Sequence, residues 1–129
     1  SAILLDDDYY HYAISHTVVL GNLNFVDKDA IIVLKAIAYI NNSKRKAEGE
    51  NVRSEDITKH KNDIFRIVST FTERDRYEIP EAIKNDLRTF LELIEEDGLG
   101  TAGLSKELGL GTEITFDVFS SQFKNVFRL

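Results

Sequence analysis

The 129-residue chain has no cysteine, no methionine and a single proline. Without cysteine it has neither disulfides nor cysteine–zinc sites, and thiol usage says nothing about its compartment. The lack of methionine extends to position 1, and the chain opens abruptly on Ser1-Ala2-Ile3-Leu4-Leu5. That opening reads as the interior of a longer protein, with part of the functional machinery expected upstream. No segment resembles a signal peptide or a membrane-spanning helix, so a cytoplasmic protein with no membrane partner is expected. Positive charge is also in short supply. A net charge of −6 argues against a general nucleic-acid binder, although a local basic patch remains compatible with it. The three histidines, His11, His16 and His60, sit in no nucleophile motif.

What the chain does have is one charge in an unusual place. Ala30-Ile31-Ile32-Val33-Leu34-Lys35-Ala36-Ile37-Ala38-Tyr39-Ile40 is apolar except for Lys35. The run is too long for a typical strand and too short to span a membrane, so it reads as a central helix covered on most faces. A lysine there needs a carboxylate or an anionic ligand. The nearest dense polar cluster is Lys59-His60-Lys61-Asn62-Asp63, one helix later.

Turn and cap signals divide the rest. Residues 2–5 form a short strand candidate ending in Asp6-Asp7-Asp8, and residues 17–20 and 23–26 flank Gly21-Asn22 as a hairpin would. Asp27 is placed to cap the lysine-bearing helix, which should run over residues 28–47 and stop at Gly49. Ser54 is the next cap signal, and Ile57, Ile64, Phe65, Ile67, Val68 and Phe71 recur at helical spacing to a predicted end near Phe71. Pro80 fits the first turn of a further helix whose apolar stripe is Ile83, Leu87, Phe90, Leu91 and Ile94. A glycine-rich loop follows over residues 98–111, with one short helical turn possible at 105–108, and Phe116, Phe119, Phe123 and Phe127 share a face of the last segment. The expected fold is therefore α+β but mainly α. It comprises a short N-terminal strand and a β-hairpin, followed by a bundle of about four helices, in one domain over residues 1–129.

Several constellations bear on chemistry. Lys35 with Asp63 is either a structural buried ion pair or a phosphate-neutralising lysine held by a carboxylate. Asp56, His60 and Asp63 share a helix face at spacings that can hold a divalent metal, or else form a solvated face. Asp6 and Asp8 resemble strand-end metal carboxylates, against the plainer reading of an exposed acidic turn. Gly98-Leu99-Gly100-Thr101-Ala102-Gly103 matches G-x-G-x-x-G formally, but it follows a helix and lacks a βαβ setting, so it is not read as a dinucleotide site. Lys44, Arg45 and Lys46, with Arg53 nearby, make a small basic patch that suits either a phosphate backbone or a helix C-terminus.

Taken in order, Ser1-Ala2-Ile3-Leu4-Leu5-Asp6-Asp7-Asp8-Tyr9-Tyr10, Leu34-Lys35-Ala36-Ile37-Ala38-Tyr39 and Asp56-Ile57-Thr58-Lys59-His60-Lys61-Asn62-Asp63-Ile64-Phe65-Arg66 resemble the C-terminal half of bacterial nucleotidyltransferase-like proteins of the AbiEii toxin type. Ile79-Pro80-Glu81-Ala82-Ile83-Lys84-Asn85-Asp86-Leu87 extends the likeness, which covers roughly residues 1–95. The resemblance implies a bilobal enzyme. Its N-terminal lobe carries a Gly-Ser phosphate loop and an Asp-x-Asp pair for Mg²⁺, and its helical C-terminal lobe closes over the NTP. It also implies nucleotidyl transfer to an acceptor, RNA or protein, and an antitoxin partner. On this likeness Asp63 matches the C-lobe acidic residue and is the catalytic candidate. Lys35, with Lys59 and Lys61, would meet NTP phosphates. The phosphate loop is absent, and Asp6 and Asp8 do not match the metal pair, so this chain alone is expected to be inactive and to hold neither Mg²⁺ nor NTP tightly. The rival reading is a stand-alone helical protein-interaction domain without catalysis; the aromatic last helix is its candidate interface, although it reads first as core.

Overall fold

The computed structural model describes residues 17–20, 23–97 and 115–129. The strand expected at residues 2–5, Asp6 to Asp8, the Gly21-Asn22 turn and the glycine-rich loop lie outside them. Strands β1 (Thr17–Leu20) and β2 (Leu23–Val26) pair antiparallel, with Thr17 opposite Val26 and Leu20 opposite Leu23. The rest of the described chain is mainly helical: α1 (Lys28–Ala47), α2 (Ser54–Val68), α3 (Glu81–Glu96) and α4 (Phe116–Phe127).

Helix α1 starts where the apolar run demands it, after an extended Asp27 whose side chain accepts no capping hydrogen bond. Its last turn carries Lys44, Arg45 and Lys46, cations that suit the negative end of the helix dipole. Gly49 closes it in the positive-φ region at 89°. The Gly49 N–H donates to the Lys46 carbonyl at 3.1 Å and the Glu50 N–H to the Arg45 carbonyl at 3.0 Å. These are the two bonds of a Schellman stop, and a side chain at Gly49 would strain that φ although nothing lies within 4 Å of an added Cβ.

Helix boundaries depart from the sequence pattern at three places. Arg53, not Ser54, is the cap of α2, with its carbonyl accepting from the Asp56 N–H at 3.1 Å. Helix α2 ends at Val68, not Phe71. The Thr70 and Phe71 N–H groups tighten onto the Ile67 and Val68 carbonyls, each at 3.0 Å, as i→i−3 turns. Phe71 is nonetheless buried, which is why the apolar periodicity ran past the helix end. Pro80 precedes α3 as its cap instead of occupying its first turn.

Helix α1 packs on α2 and α3, and α4 packs across α2 and α3. The core between them is aromatic. Ile83, Leu87, Phe90 and Ile94 of α3 are fully enclosed, as are Phe123, Val126 and Phe127 of α4. Phe123 is the hub, with ring centroids 5.9 Å from Phe90, 5.5 Å from Phe119 and 5.2 Å from Phe127. From there the cluster reaches Tyr39, edge-on to Phe90 at 5.3 Å, and Phe65, edge-on to Phe119 at 4.5 Å. Three of the four phenylalanines predicted to share a face of α4 are thus core, and Phe116 is half-buried against it.

One polar contact fastens the end of α3 to α1. The Tyr39 hydroxyl donates to Asp97 Oδ2 at 2.7 Å, from a side chain whose residue is only 2% exposed. Burial pushes the phenol well above its ordinary range, and the hydrogen bond to Asp97 and the Asp97 charge push it further. Tyr39→Phe keeps the ring contact with Phe90 and removes only this bond, so a loss of about 1–2 kcal/mol is expected in urea unfolding. A change below the measurement error would show that water replaces the bond at no cost.

Candidate functional site

Lys35 lies on α1 between faces already committed to the core. Its residue is half-buried, while Ala36, Ile32 and Tyr39 around it are buried. Its ammonium reaches across to α2 and meets Asp63 Oδ2 at 2.9 Å. The two side chains are 28% and 24% exposed, so the pair is neither sealed in the core nor free in solvent. Arg66, one turn on, donates to the other carboxylate oxygen, Oδ1, at 3.2 Å. Asp63 is therefore shared by two cations. Partial burial pushes its carboxyl up, but the Lys35 hydrogen bond and the charges of Lys35, Arg66 and Lys59 outweigh burial and hold it below the usual carboxylate range. A carboxylate held in this way is a weak proton acceptor and a good anchor, so the geometry favours positioning of Lys35 over general-base work.

His60 sits beside this pair. Its Nδ1 is buried and has no hydrogen-bond partner among the described residues. Burial pushes the imidazole below 6.5; the Lys35 and Lys59 charges push it further, and Asp63 and Asp56 oppose them. Because the folded protein binds this proton less readily than the unfolded chain, the contribution of His60 to stability is complete above about 6.5. It is lost as the pH falls through the lower folded value. His60→Gln is expected to flatten that part of the stability profile, read as the difference in urea midpoint between pH 7.5 and pH 5. Identical slopes in the parent and variant chains would overturn the assignment.

The candidate metal cluster is not assembled. Among the described residues no three His, Asp or Glu side chains converge for a metal ion, so Asp56, His60 and Asp63 share a helix face without forming a ligand set. Asp63 is instead consumed by Lys35 and Arg66. Over residues 27–97 and 115–129, Val118, 58% exposed, is the sole exposed large hydrophobic. No helix among the described residues is long and apolar enough to cross a membrane.

The remaining sequence candidates separate into different surroundings. Lys59 is exposed on α2. Lys61 lines a groove of about 450 Å³ between the C-terminal half of α1 and the start of α2, together with Tyr39, Ser43, Lys46, Ser54, Thr58 and Asp97. Neither Lys35 nor Asp63 lines it. The basic patch is compensated in part. Arg45 pairs with Glu50 at 3.2 Å and Arg53 with Glu55 at 3.4 Å, and Lys46 alone turns to a neutral partner, donating to the Ser54 hydroxyl.

Comparison with protein-family models, curated proteins and solved structures finds no match.

Sequence reasoning found the Lys35–Asp63 partnership because an unpaired lysine in an apolar run requires a partner. It missed Arg66 as the second cation on Asp63, although the i, i+3 spacing of Asp63 and Arg66 was legible. It also missed the Tyr39–Asp97 bond and the Lys46–Lys61 groove, which depend on how three elements dock and leave no mark on any one of them.

Proposed function

We propose that the chain is the C-terminal, NTP-facing lobe of a nucleotidyltransferase-type enzyme of the toxin–antitoxin kind, which moves a nucleotidyl group to an RNA or protein acceptor. The observation that carries this reading is the Lys35–Asp63 pair, 2.9 Å apart and about a quarter exposed on each side. A structural ion pair could have been sealed or replaced by packing. This one leaves about a quarter of the lysine side chain exposed, where an anion can approach, while the carboxylate fixes its position. The resemblance supplies the anion, the triphosphate of an NTP.

In this reading Lys35 neutralises phosphate charge as a point cation, and Asp63, itself held by Arg66, positions it. Lys59 and Lys61 add positive potential on the same helix. Mg²⁺ enters with the nucleotide and belongs to the carboxylates of the catalytic lobe. The described residues offer no ligand set for it.

The test is made on the natural reading frame that contains this sequence. Upstream coding for a Gly-Ser loop followed by Asp-x-Asp, with transfer of label from α-³²P NTP to RNA or protein, is the expected result. The 129-residue chain alone should transfer none. Labelling by the isolated chain would sink the two-lobe reading. A frame that starts just before Ser1 would remove the catalytic reading and leave a binding or structural domain.

A further inference from the structure

We propose that the groove between α1 and α2 is a separate subsite for a phosphate ester of nucleotide-monophosphate size. Its volume, about 450 Å³, lies in the range of small-molecule sites. Two lysines from different helices, Lys46 and Lys61, line it, and neither has a carboxylate partner among the described residues. Lys35, Arg45, Arg53 and Arg66 are each paired, and Lys44 and Lys59, which also lack a carboxylate partner among the described residues, do not line the groove. Lys46 hydrogen-bonds the Ser54 hydroxyl and its charge also acts on Glu55; a phosphoryl oxygen can share the ammonium, which has three donors.

The rest of the lining sorts by chemistry. Ser43, Ser54 and Thr58 offer hydroxyl donors beside the lysines. Ile57 and Ala47 give an apolar wall. Asp97 accepts the Tyr39 hydroxyl on Oδ2, and its carboxylate has a second oxygen able to take a sugar hydroxyl. The lysines and hydroxyls thus suit a phosphate, and the Asp97 carboxylate suits a neutral hydroxylated group. A bare anion would use only the first set, whereas a sugar phosphate uses both. The larger groove beside Phe71, Val118 and Gln122, about 900 Å³, is lined by Glu73 and Asp117 and, among the described residues, by no cation.

This subsite does not require the NTP reading of Lys35, and the experiment separates the two. The 129-residue chain is titrated with AMP, ribose 5-phosphate and inorganic phosphate, followed by amide chemical shifts and calorimetry. The expected result is binding of AMP and ribose 5-phosphate with shifts centred on Lys46, Ser54, Thr58 and Lys61. Inorganic phosphate should bind at least tenfold more weakly. Lys46→Gln with Lys61→Gln should weaken AMP at least tenfold, Asp97→Asn should bring ribose 5-phosphate towards inorganic phosphate, and Lys35→Gln should leave all three unchanged. No binding at millimolar ligand, or binding indifferent to the double lysine variant, overturns the subsite. Loss of binding with Lys35→Gln alone would place the phosphate at the Lys35–Asp63 pair and also overturn it. Failure of nucleotidyl transfer in the intact protein leaves the titration result standing.

Discussion

Phe123→Ala is expected to destabilise the protein by about 3–5 kcal/mol, the largest effect of any single truncation in the described core. The reason is position more than residue type. Phe123 is fully buried and its ring meets those of Phe90, Phe119 and Phe127, so it joins α3 to both flanking turns of α4. Truncation removes the transfer free energy of the ring and leaves a cavity walled by other rings, which cannot collapse without breaking their edge-on and tilted contacts. Domains of this size have only about 5–15 kcal/mol in total, so the variant should lose between about a fifth and all of its stability. Urea unfolding followed by far-ultraviolet circular dichroism measures it. Val118→Ala on the exposed side of the same helix should fall within about 0.5 kcal/mol of the parent and controls for helix propensity. A Phe123→Ala loss under about 1 kcal/mol would mean that α4 does not dock on the bundle in solution.

The second large effect is functional. In the intact enzyme, Lys35→Ala should lower kcat/KM for nucleotidyl transfer by about 10²–10³-fold, the scale of losing one electrostatic stabiliser in a preorganised site. Stability should change little, because the pair is partly exposed and Arg66 still neutralises Asp63; about 1 kcal/mol or less is expected. Lys35→Arg should recover part of the activity by keeping the charge while misplacing it. Asp63→Asn should cost less than Lys35→Ala, since it loosens the lysine without removing it. Equal unfolding midpoints together with unaltered kcat/KM would show that Lys35 is a structural cation and nothing more. A collapse in stability with Lys35→Ala would move the pair into the fold.

How much of this was legible beforehand depended on whether a feature is local. The stripe Ile83, Leu87, Phe90, Leu91 and Ile94 specified a buried helix face by spacing alone, and all five residues are buried. Helix ends were less legible. The sequence offers Ser54 as a cap and Phe71 as the last apolar residue, yet the helix spans Ser54 itself through Val68, because burial of Phe71 is achieved by a turn and not by helix. The Lys35–Asp63 contact was inferable because an ammonium in an apolar run restricts its partners to a few. The Lys46–Lys61 groove was hidden behind a plausible local account, since three cations at a helix C-terminus already have a reason to be there.

The clasp of Gln122 on α2 bears on the timing of synthesis. Its Nε2 donates to the Val68 carbonyl at 3.3 Å and to the Phe71 carbonyl at 3.0 Å, so the exit from α2 is secured by a side chain more than fifty residues later. Translation must pass Phe127 before the wall of α4 can close over Phe65 and Phe90. Until then the apolar residues that α4 covers stay exposed on the nascent chain, the kind of surface that favours misassembly.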